Sequence, residues 1–289
     1  MKYYQKFMLL FCFVLLIFLF WGLFQSGLLD VFWNYAFDSG YREVFNYDLH
    51  HLSPGASLLE VMKTLIDEYT WETDLFLQKC SIPFSIIMPL VVSLAGIEFM
   101  NKKNSIAGYA VYRTSGRSVY YFREAVLISA GYALAFALAA FAFFVIINSL
   151  SHGTFYGDVG CQMFLDLLSR QFYYSHPYMY WGLNYFFRFF ILPFLYAFFS
   201  CSIAMSVSTY RNTFMISNLI HFTLTIGGNG LVPYLGSLTL YFTPYLLLTD
   251  GGAFAFNDYK TIPVLTVQVV LPLLISCMII RKQCAYAEI

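Results

Sequence analysis

Long apolar runs separated by polar connections dominate the chain. They cover residues 7–27, 82–99, 125–147, 183–207 and 262–280, each near the about 20 residues that a helix needs to cross roughly 30 Å of hydrocarbon. A sixth run, 214–230, is irregular. Its apolar part, Phe214 to Ile226, is 13 residues long, enough for about 20 Å of helix. It then meets Gly227, Gly228, Asn229 and Gly230, and a further apolar stretch, Leu231 to Leu248, is punctuated by Pro233, Gly236 and Pro244. Glycine and proline at this density predict a broken helix followed by a re-entrant hairpin, not two further crossings. The predicted fold is therefore an all-α polytopic membrane protein in one domain, 1–289, with six transmembrane helices and a hairpin between the fifth and sixth. Outer loops then fall at 28–79, 148–180 and 231–261, and the main inner loop at 100–124.

Composition agrees. Of 289 residues, 60% are hydrophobic and 11% charged, with 32 Phe and 24 Tyr, too few polar side chains to cover a water-soluble globule of this size. Lys2 and Lys6 precede the first run as in a secretory signal, but no small-residue cleavage site follows before Asp30, so the run reads as a retained helix. Charge then gives the orientation. With the N-terminus inside, the inner segments hold ten basic and three acidic residues, the outer segments five basic and thirteen acidic, and Arg188 lies within a span. Lys and Arg in short connections stay on the cytoplasmic side. The polarity thus favours six spans with both termini cytoplasmic. Seven would place Arg281 and Lys282 outside.

The first outer loop contains an amphipathic helix pattern, with Leu58, Met62, Leu65, Ile66 and Tyr69 on one face and Glu60, Lys63, Asp67 and Glu68 largely on the other. Ser57 and Glu60 have capping-box spacing. Such a helix reads as a lid on the outer membrane surface or as an exit gate. Asp48, His50 and His51 cluster nearby, and His152 and His176 sit on the second loop, without the spacing of a zinc site. No GxSxG, no GxxxxGK[ST] and no pair of intramembrane acids is present. The sequence thus predicts no catalytic residue and no metal ligand. Cys12, Cys201, Cys277 and Cys284 read as small apolar fillers. Cys80 and Cys161 both face outward in this topology, which permits a disulfide between them.

Polar residues inside the spans are few. Asn218, His221 and Thr225 form one stripe on the fifth helix at i, i+3, i+7, turned toward other helices either to fix packing or to line a pathway. Arg188, near Asn184, is placed about five residues from the outer end of its helix and is expected to snorkel to the interface, or else to join the pathway.

The inner loop is the most patterned connection. Glu98 closes the second span, a short helical stretch follows from Asn104, Thr114, Ser115 and Gly116 lie between Arg113 and Arg117, and Arg123 opens the third span. Lys102, Lys103 and the three arginines satisfy the positive-inside rule and can meet anionic headgroups. The order of residues also resembles type-2 (ABC-2-like) ATP-binding-cassette exporter permeases, in which an acid at the span end is followed by a Thr-Pro-x-x-Arg-like turn and a further basic residue. Glu98 matches the acid, Thr114 to Arg117 the turn and Arg123 the later base; Ser115 and Gly116 stand where proline is common. The resemblance covers about 28 residues plus the layout of spans. It implies a coupling helix seated on a nucleotide-binding ATPase subunit, which would hold the ATP and Mg, and a second permease copy or paralogue. It further implies export of a hydrophobic or amphipathic cargo such as a peptide, lipid-like molecule or drug, and a multi-pass location in a plasma membrane, bacterial in setting. The alternative reading is a membrane anchor or accessory protein whose acidic outer loops bind a partner.

Overall fold

The computed structural model describes residues 3–70, 84–105, 117–151, 153, 164–244 and 261–286. Every regular element among them is helical: α1 (Tyr3–Gln25), α2 (Leu28–Phe37), α3 (Ser39–Val44), α4 (Leu58–Tyr69), α5 (Phe84–Val92), α6 (Leu94–Lys103), α7 (Arg117–Leu150), α8 (Leu165–Ser175), α9 (Pro177–Phe186), α10 (Leu192–Ser206), α11 (Tyr210–Leu235), α12 (Thr261–Leu265) and α13 (Leu271–Tyr286). Five stretches are long and apolar enough to cross a membrane: Tyr4–Phe24, Phe84–Lys103, Arg117–Leu150, Pro177–Ser206 and Ile262–Ala285. The protein is thus a helical membrane protein. Its fourth span is central and packs against the second, third and last spans and against α11, while the first span lies on the third.

Proline shapes three of these spans. Pro89 lies inside α5, and the second span is interrupted at Ser93 before resuming as α6. The fourth and last spans contain five-residue π-helical segments, Phe187–Ile191 and Thr266–Val270, each followed two residues later by a proline, Pro193 and Pro272. A proline ring has no N–H and collides with the carbonyl four residues back. Widening the turn to i→i+5 bonding relieves that collision without ending the helix.

Several boundaries differ from the sequence expectation. The third span begins at Arg117, not at 125, and extends to Leu150, because the polar side chains of its first turns are satisfied inside the protein. The fourth begins at Pro177, not at 183: proline is suited to the first helical position. Between 148 and 180 the described residues contain α8, whose helical turns are kinked at Ser169, where φ is 64°.

The largest correction concerns the fifth helix. Instead of breaking at Gly227 to Gly230, α11 runs unbroken through the three glycines and Pro233 to Leu235; its 26 residues give about 39 Å. The reversal comes later, at Gly236, whose φ of 58° is open to glycine. The chain continues as a 3₁₀ turn, Gly236–Tyr241, that folds back on α11. Gly228 permits this return, since a Cβ there would lie 2.0 Å from Thr243 Oγ1. Small residues let helices approach closely, and that contact outweighs the roughly 1 kcal/mol by which a glycine disfavours helix. Gly228→Ala is accordingly expected to lower thermal stability measurably in detergent, and Gly228→Ala with Thr243→Ala to recover it; equal melting of the single mutant and the parent would refute the contact. The remainder of the expected hairpin, 245–260, lies outside the described residues.

Outside the bundle, α2, α3 and α4 form a small subdomain around Leu28, Tyr35, Phe45, Val61 and Leu65. The capping box of Ser57 and Glu60 is present, and its hydrogen bonds hold the Glu60 carboxyl below its usual pKa. Burial pushes the Tyr35 phenol up to about 12. The expected membrane-facing stripe of α4 is instead turned into this core through Val61 and Leu65, while Leu58 is exposed. A helix flanked by α2 buries more apolar area there than as an isolated lid. Thr70 Oγ1 donates to the Leu150 carbonyl at 3.1 Å, tying the subdomain to the end of the third span.

Candidate functional site

Two regions hold the residues singled out by sequence: the end of the bundle where basic side chains gather, and a polar seam between the helices.

At the basic end, four charged groups join different helices. Lys6 lies 3.9 Å from Glu98. Lys102 Nζ donates to Glu124, which is buried at the start of the third span. Lys103 Nζ donates to the carbonyls of Ala204 and Met205 at 3.0 and 3.1 Å, a cation placed on the exposed carbonyls of a helix C-terminus. The Arg117 guanidinium donates to the Cys284 carbonyl and is 2% exposed. Arg117, expected to face a partner, is therefore turned inward against the last helix. Arg123 is the basic residue that faces outward, its side chain 69% exposed beside Glu124. Arg113, Thr114, Ser115 and Gly116 lie outside the described residues, as do Cys80 and Cys161. What the sequence reading missed is Glu124, which was only counted as a charge; its position directly before the apolar run was the available signal.

In the seam, the break at Ser93 exposes backbone that the fourth span and α11 exploit. Ser200 Oγ donates to the Ser93 carbonyl at 3.0 Å, and Asn218 Nδ2 donates to Ser93 Oγ at 3.0 Å and to the Phe214 carbonyl at 2.8 Å. Ser217 Oγ donates to Ser200 Oγ at 3.1 Å. Further along α11, His221 Nε2 lies 3.0 Å from the Ser85 carbonyl and Nδ1 lies 2.9 Å from the Tyr196 hydroxyl. A carbonyl only accepts, so the proton sits on Nε2 and Nδ1 accepts from Tyr196. Gly96 makes this crossing possible: it leaves no room for a Cβ beside Ser200 and Thr213.

Asn218 and His221 are thus hydrogen-bonded to the second span, and His221 to the fourth as well. Thr225, the third member of the stripe, makes no hydrogen bond through its buried hydroxyl. Arg188 is not at the interface: it is 2% exposed, since the helix begins at Pro177 and puts it eleven residues inside, in the π-helical turn. Tyr196, Ser200, Ser217 and Gln268 were not singled out by sequence, although Thr213, Ser217 and His221 stand at i, i+4, i+8 on α11 and give a longer stripe than the one read. His221→Ala leaves a buried carbonyl and a buried phenol unpaired, each costing about 1 to 3 kcal/mol; a fall in apparent Tm is expected, with partial recovery in His221→Asn. An unchanged Tm would show that the bridge contributes nothing.

Next to the seam lies a cavity of about 300 Å³ between the fourth span, α11, the fold-back turn and the last span. Among the described residues its lining is apolar apart from Tyr196, Ser217, His221 and Gln268, and none of them is a charged side chain. Gln268 Nε2 donates to the Tyr241 and Thr243 carbonyls at 3.0 and 3.1 Å, which joins the last span to the fold-back turn.

No protein-family model matches the chain, and no curated protein and no solved structure matches it.

Proposed function

We propose that the chain is the membrane-spanning permease subunit of an ATP-driven exporter, with ATP and Mg bound by a separate nucleotide-binding subunit and a second permease copy or paralogue completing the path. The observation that carries this reading is the anchoring of the basic inner loop. Its two ends are joined by Lys102 and Glu124, its exit is tied by Arg117 to the last helix, and its entrance by Lys103 to the end of the fourth span. A push on residues 106–116 would therefore reach the second, third, fourth and last spans together, as rigid-body coupling requires. An apolar cavity without charges suits a hydrophobic or amphipathic cargo. A plasma membrane, with the basic end in the cytoplasm, is the setting this reading assigns.

Six crossings complete the proposal. α11 starts beside α6, where the Tyr210 hydroxyl donates to Asn101 Oδ1 at 2.8 Å, and is level with Ser85 by His221, so its course runs antiparallel to the second span over most of that span's depth. Cysteine labelling in intact cells is expected to reach position 250 and miss position 281. Labelling of 281 but not 250 would mean that α11 does not cross.

The rival reading, an anchor whose outer face binds a partner, draws on the outer subdomain, where Trp33 and Phe37 are 66% and 71% exposed. Purification of the native complex in mild detergent separates the two. A co-purifying ATPase supports the permease; a chain that brings down only a partner bound to the outer subdomain rejects it.

A further inference from the structure

The cavity beside the seam is open toward the bilayer. Its floor is closed, with Leu192 1% and Leu195 8% exposed, whereas its rim residues Ile220, Leu224, Phe242 and Leu271 are exposed and all apolar. Ile220 and Leu224 stand on α11 and Leu271 on the last span; with α11 crossing as proposed, the rim faces hydrocarbon. α11 and the last span both lean on the fourth span, and the cleft is the space left between them.

The polar groups inside are already engaged. Tyr196 donates to His221, Ser217 to Ser200, and the Gln268 amide to two carbonyls of the fold-back turn. A polar headgroup would gain no charge partner there and would pay its desolvation cost. We propose that the cleft is an acyl-chain site, filled sideways from the bilayer by a single tail of a phospholipid. The inference rests on the proposed crossing of α11 and does not depend on an ATPase partner.

The full chain, reconstituted into phosphatidylcholine vesicles without nucleotide, is photolysed with phosphatidylcholine carrying a diazirine near the end of one tail, and adducts are mapped by mass spectrometry. Labelling at the buried floor, Leu192 and Leu195, is expected to exceed by several-fold that at Leu9 and Leu16, which are exposed on the first span. Leu224→Trp, which fills the mouth, is expected to cut floor labelling several-fold and leave the first span unchanged; should it not fold, Leu271→Trp on the opposite rim serves instead. Floor labelling no higher than on the first span, or insensitive to the filling variant, overturns the site. Efficient disulfide formation between two copies carrying Leu224→Cys overturns it as well, by showing that a second copy covers the mouth. A negative result leaves the coupling proposal untouched, since that is read from ATP hydrolysis.

Discussion

Leucine at position 96 is expected to leave almost no folded protein. A Cβ on Gly96 would lie 2.4 Å from Ser200 Oγ, 2.7 Å from the Ser200 carbonyl oxygen and 2.7 Å from Thr213 Cγ2. The first is a side chain that can rotate, but only by giving up its bond to Ser93; the second is backbone of the central span and cannot move without the helix. Overpacking of this kind costs about 1 to 3 kcal/mol or more, and the loss of the Ser200 and Asn218 bonds to Ser93 adds roughly 1 kcal/mol each. The sum, about 3 to 5 kcal/mol, reaches the lower end of the stability of many domains, about 5 to 15 kcal/mol. Size-exclusion profiles and apparent Tm in detergent are the measurements, with Gly96→Ala falling between the two extremes. A Gly96→Leu protein that is monodisperse and melts with the parent would show that the second span, the fourth span and α11 do not meet at this point.

Reversing two charges of the inner loop, Arg113→Glu with Arg123→Glu, is expected to abolish stimulated ATP hydrolysis while leaving insertion intact. Arg117 is unsuited to this test because it is buried against the Cys284 carbonyl, and a carboxylate there would be a buried, uncompensated charge. Arg123 is exposed, so its reversal spares the bundle and acts on whatever sits against the loop. Truncating one member of a buried interfacial charge pair costs about 2 to 5 kcal/mol, most of it in the dissociation rate. The expected result is loss of the ATPase on purification, or its retention with hydrolysis no longer stimulated. Normal binding and normal stimulated turnover would return the five basic residues to the lesser role of holding the loop inside.

The membrane class, the first, second and last spans to within about a turn and the gathering of basic side chains at one end of the bundle were legible because they depend on composition and on local runs of apolar residues. The course of α11 was not. Gly227, Gly228 and Gly230 are breakers by local propensity, and only the return of Thr243 onto Gly228, a contact between segments fifteen residues apart, keeps the helix whole there. Arg188 and Arg117 show the same limit. Arg188 was assigned to the interface by its distance from a helix end and Arg117 to a partner-facing turn by the pattern of the inner loop, and both are buried by helices that begin six to eight residues earlier than the apolar run. The α4 stripe was recognised as amphipathic, but its partner, α2, could not be inferred from a period alone. In the seam, His221 and Asn218 were visible as polar residues in an apolar helix, whereas Ser93 acquires its role from the interruption of a different span.

The paired π-helical segments bear on how one rod can serve two sets of neighbours. A regular α-helix advances about 100° per residue, so the extra residue of a π turn resets the phase of everything that follows. In the fourth span, the half carrying the buried Tyr180, Trp181 and Asn184 is aimed independently of the half carrying Ser200 and Cys201, and Pro193 sets the offset between them. Pro272 does the same for the last span, fixing the azimuth at which Gln268 meets the fold-back turn while Cys284 meets Arg117. Each proline thus acts as an indexing pin: it couples the angular setting of the outer half-bundle to that of the inner half without interrupting the column that connects them.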